Sequence, residues 1–93
     1  MRVDFPIEWD EQDDFEIPVK GCLSNVIVHT TDGIKHTLSF YDPVRLSQEI
    51  ESEINNGKAG FIERGLIVVP EVTKTNIEQA IKLAESEGYF QSV

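Results

Sequence analysis

His29 and His36 are the two residues whose type and spacing come closest to a metal site. They flank Asp32-Gly33 inside a run of β-forming residues. A two-residue turn there would set the imidazoles opposite each other on a hairpin. Two facing imidazoles supply two ligands to zinc or copper, whereas a stable site needs a third and usually a fourth. Asp32, Asp42 and Cys22 are the nearest groups able to help, and no motif places them there. Two partly exposed strand histidines, one of them tuning stability with pH, are the simpler account. No metal and no cofactor are expected.

Other candidate chemistry is thinner still. Cys22 would need a base and an oxyanion site to act as a nucleophile. His29 lies seven residues along the same run, out of reach and on the opposite face of a regular strand. Cys22 therefore reads as a small buried hydrophobe. Paired acid–base work needs two carboxylates in unlike environments within one cleft. Glu49, Glu51 and Glu53 instead look like the solvated face of a helix. Gly57-Lys58-Ala59-Gly60 follows a helix rather than joining a strand to one, so it is no phosphate loop. Lys58 and Arg64 flank Phe61-Ile62 and could meet a carboxylate, although surface charges need no such reason. An enzyme is not expected.

The remaining functional signal is charge. Among 93 residues, 17 Asp and Glu stand against 8 Lys and Arg, a formal net charge of −9. Residues 1–16 hold seven of those acids against Arg2 alone, a balance of −6, and residues 17–93 carry only −3. Such a chain lacks the Lys and Arg needed to dock on nucleic-acid phosphates or anionic lipid. Phe5, Ile7 and Trp9 alternate with Pro6 and Glu8, and Phe15, Ile17 and Val19 alternate with Glu16 and Pro18. Both stretches have period two and suit an edge strand or extended arm, with Asp10 to Asp14 as a solvated loop between them. Two readings compete. In one, the aromatics cap the core while the acids face water. In the other, Trp9 anchors a protein partner and Asp10, Glu11, Asp13 and Asp14 steer a basic surface toward it.

These groups are positioned by one small domain, 1–93, with 1–16 as an acidic aromatic arm and 17–93 as a near-neutral core. Its apolar residues make up 40% of the chain, and 19 of them are Val or Ile, which favours sheet. One Cys excludes an internal disulfide. No apolar run approaches the ~20 residues of a membrane span, and no signal-peptide pattern is visible, so a cytoplasmic location is expected.

Cys22 to Thr31 and Ile34 to Tyr41 read as hairpin strands. A two-residue loop would pair His29 with His36 and Ile27 with Leu38, setting Ile27, Ile34, Leu38 and Phe40 on one face. Val26, Val28, Thr37, Ser39 and Tyr41 would share the other. A three-residue loop would shift the pairing and separate the histidines. Asp42-Pro43 opens a helix carrying Leu46, Ile50 and Ile54 inward, and Asn55-Asn56-Gly57 closes it. Phe61-Ile62 and Leu66 to Val69 are short apolar runs, the second patterned like a strand buried on both faces. A last helix begins at Thr73 or Thr75, turns Ile77, Ala80, Ile81 and Ala84 inward with Leu83 at the margin, and ends at Gly88. Tyr89 and Phe90 then fold back. The expected class is α+β: a small mixed or antiparallel sheet with two helices packed on it, in the order β-β-β-α-β(β)-α.

The expected function is non-catalytic protein binding, in its specific form an inhibitor or immunity-type protein masking a basic partner. A metal domain built on His29 and His36 is one alternative. A self-associating module is the other, forming a homodimer through a sheet edge and burying Trp9 or Tyr89-Phe90.

Overall fold

A computed structural model describes residues 1–91. The class is α+β, with a four-stranded mixed sheet and three helices rather than two. In chain order the elements are β1 (Arg2–Asp4), α1 (Glu11–Lys20), β2 (Cys22–His29), β3 (Lys35–Tyr41), α2 (Pro43–Asn55), β4 (Leu66–Val68) and α3 (Lys74–Ser86). The sheet order is β1-β2-β3-β4, antiparallel except for the parallel β3–β4 pair.

The extra helix is α1, which replaces both the expected solvated loop at 10–14 and the extended piece at Phe15–Val19. Asp10 accepts a hydrogen bond from the Asp13 N–H at 2.8 Å, and the Asp13 carboxylate accepts from the Asp10 N–H at 3.4 Å. That reciprocal capping box satisfies two of the donors a helix start leaves open. Glu11, Asp13 and Asp14 fill the first turn, where negative charge meets the positive end of the helix dipole. Pro18 lies late in the helix, and Gly21 ends it in the left-handed region with its N–H on the Ile17 carbonyl. Alternation at 15, 17 and 19 is thus a helical pattern sampled at every second residue. Ile17 enters the core while Phe15 and Val19 face water.

In the hairpin the loop has three residues, not two. Thr30 N–H bonds to the Ile34 carbonyl and Gly33 N–H to the Thr30 carbonyl, both at 3.0 Å, with Gly33 at φ +84°. Val28 therefore faces His36, and His29 faces Lys35. This register corrects the expected face assignment. Val26 and Val28 share the core face with His36, Leu38 and Phe40, and Ile27 joins Thr37, Ser39 and Tyr41 on the other. A bulge between Leu23 and Val26, with Asn25 at φ +63°, flips the parity once more. Cys22 consequently shares the face of His29, although seven residues still separate them, and it is half-buried rather than buried.

The core face is covered by α3 through Ile77 and Ile81, by Ile17 of α1, and by Phe90 after the last helix. Val3, Phe5, Ile7 and Trp9 pack at its margin, so the start of the chain closes the core beside β2. Of the two available caps for α3, Thr73 is the one used, accepting from the Asn76 N–H at 3.1 Å. Phe90 folds back as expected, whereas Tyr89 stays half-exposed. On the second face Tyr41 points toward Glu49 of α2 and toward Glu63. Leu46 and Ile50 are half-buried, and Ile54 is exposed.

β4 departs from expectation as well. It is an edge strand with Leu66 and Ile67 half-buried and Val68 exposed, not a strand covered on both faces. Phe61-Ile62 forms no strand, and Ile62 is 94% exposed. Among the described residues no helix is long and apolar enough to cross a membrane.

Gly65 sets the approach of β4 to β3. It sits at φ +71°, and a Cβ there would collide with the backbone carbonyl oxygen of Thr37. Gly65→Ala combines left-handed strain with a backbone clash and is expected to cost about 2–4 kcal/mol. Gly57 has a similar φ of +86° in open space. Gly57→Ala should therefore lose only ~1 kcal/mol. Urea unfolding of the two variants measures the difference.

Candidate functional site

The acidic segment is divided by its geometry into carboxylates that hold α1 together and carboxylates that face solvent. Asp10 and Asp13 cap one another's backbone. Gln12 donates to Glu16 at 3.0 Å across one turn. Glu11, Asp14 and Glu16 are exposed. At 3.6 residues per turn, Glu11, Gln12, Phe15, Glu16 and Val19 fall within one arc of about 140°, and Ile17 faces away from it. Phe15 and Val19 are 73% and 74% exposed. The outer face of α1 is thus two bare apolar side chains bordered by acids.

Trp9 has a different role from an exposed anchor. It is half-buried, meets Phe5 edge-to-face with centroids 5.7 Å apart, and encloses its indole N–H without a hydrogen-bond partner. Lys74 Nζ lies 6.0 Å from the centroid of the Phe5 ring, so the aromatic pair tethers the arm to the start of α3. Of the five residues singled out on the arm, Glu11 and Asp14 are free to meet a partner directly. Phe15 and Val19 were missed because an extended reading gives no reason for both to face outward.

The two histidines diverge. His36 stands on the core face, 5.0 Å from the Phe90 ring and edge-on to it, with Nε2 enclosed and unpartnered. His29 is on the other face, where its Nε2 lies 2.6 Å from Asp4 Oδ2. The Arg2 guanidinium reaches the same carboxylate oxygen at 3.3 Å and His29 Nε2 at 3.1 Å. The facing pair that a two-residue turn would make does not form. Among the described residues no three His, Cys, Asp or Glu side chains are grouped to hold a metal. A His–Asp dyad can orient a base, but its partner here is Arg2, not a hydroxyl or thiol.

A cleft of about 410 Å³ opens between α2 and the segment after it, lined by Tyr41, Glu49, Glu53, Lys58, Phe61 and Glu63 among others. Tyr41 donates to Glu63 Oε1 at 3.4 Å, and Lys58 pairs with Glu53 at 2.5 Å. Burial first, then the Glu63 and Glu49 charges, push the Tyr41 hydroxyl up to about 12, so it stays a neutral donor through the physiological range. Glu49 and Glu53 are half-buried here and not part of the solvated face expected of them.

Two titrations test these contacts. The ultraviolet signal of Tyr41 should change near pH 12, and Glu63→Gln should move it toward the ordinary value of 10.0. At Asp4, the hydrogen bond from His29 is the main influence holding the carboxyl below its ordinary 3.8, aided by the Arg2 and His29 charges. A depressed carboxyl contributes stability that is complete above its unfolded-state value and is lost as pH falls through the folded one. The stability gap between the native chain and Asp4→Asn should therefore be present above 3.8 and close below it, as urea unfolding across the acid range would record.

Compared with known proteins, the chain is matched by no family model, no curated protein and no solved structure.

Proposed function

We propose that this is a non-catalytic, cytoplasmic protein-binding domain whose α1 docks on a basic surface of another protein. The observation that carries the reading is the outer face of α1, where Phe15 and Val19 stand in water between Glu11 and Glu16. Two bare apolar side chains on one helix face gain by desolvation at about 25 cal/mol per Å² when a partner covers them. The surrounding acids add direction. Long-range attraction speeds encounter with a positively charged surface and disfavours acidic ones. In its specific form the domain is an inhibitor or immunity-type protein, its carboxylates imitating the charge of nucleic acid at a basic enzyme site. The His29–Asp4 dyad bonds to Arg2, whose guanidinium is no nucleophile, and this favours a binding role.

Charge and apolar contact separate experimentally because the capping carboxylates need not be touched. A partner captured from cell lysate at low salt is measured against two variants. Glu11→Gln, Asp14→Asn and Glu16→Gln together should slow association about tenfold and flatten its salt dependence. Phe15→Ser with Val19→Ser should mainly speed dissociation. Capture and kinetics indifferent to both variants would overturn the reading.

A further inference from the structure

The two edges of the sheet are unlike. β1 ends the sheet on one side with charged Arg2 and Asp4, the usual protection of an exposed edge. β4 ends it on the other with Leu66, Ile67 and Val68, and carries no charge at all. Its inner side is occupied: the Gly65 carbonyl accepts from the Ser39 N–H, and the Val69 N–H donates to the Tyr41 carbonyl, both at 2.9 Å. Strand alternation then turns the N–H and carbonyl groups of Leu66 and Val68 outward, where no described residue bonds to them. Beside this edge runs a shallow groove lined mainly by apolar side chains, among them Val68, Ala80, Leu83, Ala84 and Tyr89, with the exposed Glu87 at its rim. Leu83 is 59% exposed and Tyr89 49%.

We propose that β4 pairs antiparallel with β4 of a second copy of this chain, joining two sheets into one of eight strands. The outward groups sit on Leu66 and Val68, symmetric about Ile67. A two-fold axis through Ile67 therefore matches each Leu66 with Val68 of the other copy and makes four backbone hydrogen bonds. Such an axis stands perpendicular to the sheet, so both α3 helices lie on the same side and Leu83 and Tyr89 of each copy cover the other's groove.

Charge selects a second copy. The register carries exposed Arg64 of each chain to the Pro70-Glu71 end of the other, where exposed Glu71 has the opposite sign, while Glu63, which the same register sets across from Glu71, is half-buried and held by the Tyr41 hydroxyl. The β1 strands, with Arg2 and Asp4, lie at the far edges. Seven strand spacings of about 4.8 Å put them roughly 34 Å apart, well beyond a screening length of about 8 Å. A dimer of this kind presents two α1 faces.

Sedimentation and light scattering over a range of concentrations should give twice the 10.5 kDa chain mass at the upper end, falling on dilution. The amides of Leu66 and Val68 should become protected from hydrogen exchange in step with the mass. Val68→Lys and Leu83→Glu, each at an exposed side chain, should weaken the dimer on the order of tenfold or more. Phe15→Ser with Val19→Ser should leave it intact, which separates this interface from the α1 surface. The native-chain measurements stand even if a variant misfolds. A single-chain mass at every concentration overturns the proposal. So does a dimer whose Leu66 and Val68 amides exchange as fast as in the dilute chain.

Discussion

The turn from Thr31 to Gly33 decides more than the connection of two strands. Asp32 accepts from the Thr30 hydroxyl and from the Ile34 N–H, and these bonds hold its carboxyl below the ordinary carboxylate range. Gly33 supplies the left-handed conformation that closes the loop at three residues. One residue more or less in that loop exchanges the two faces of β3 relative to β2. With three, Val26, Val28, Leu38 and Phe40 meet on one side and build the core against Ile77 and Ile81. The same choice puts His36 on the core face beside Phe90, and His29 and Tyr41 on the other, where the β1–β2 and β3–β4 pairings bring Asp4 and Glu63 to them. The core is thus a consequence of the hairpin register, and the polar clusters form where the flanking strand pairings meet it.

Acidity likewise resolves into separate physical roles. Asp10 and Asp13 are structural, because an N-terminal helix turn needs acceptors for its free N–H groups. Asp4 is held by His29 and Arg2 where β1 meets β2. Glu11, Asp14 and Glu16 have no comparable backbone duty and dominate the field around Phe15 and Val19. A single run of negative charge therefore includes both the means of building α1 and the features that distinguish its outer surface.

Much of the architecture was legible because local chemistry and tertiary packing agree. Asp42-Pro43 capped α2, Thr73 was one of two caps foreseen for α3, and the inward stripe of Ile77, Ala80, Ile81 and Ala84 is buried or half-buried. α1 was misread because its apolar residues fall at 15, 17 and 19, a spacing that suits a strand, and because Pro18 argues against a helix. The capping box between Asp10 and Asp13 was the available signal, but an Asp at the third helical position is easily taken for a loop acid. Tyr41 and Glu63 are 22 residues apart, and their meeting depends on strand parity and on the β3–β4 pairing together.

By itself the sequence determined the α+β class, the hairpin, two of the three helices and the concentration of charge in residues 1–16. All of these arise from periodicity, caps and composition within short stretches of chain. Only the tertiary structure decided which side of each strand is buried, that His29 and His36 part, that Trp9 turns inward, and that Phe15 and Val19 turn out. Those outcomes depend on a one-residue choice of turn, on a bulge at Asn25 and on which surfaces a helix finds to cover. Each weighs distant parts of the chain against one another, and no local pattern carries that comparison.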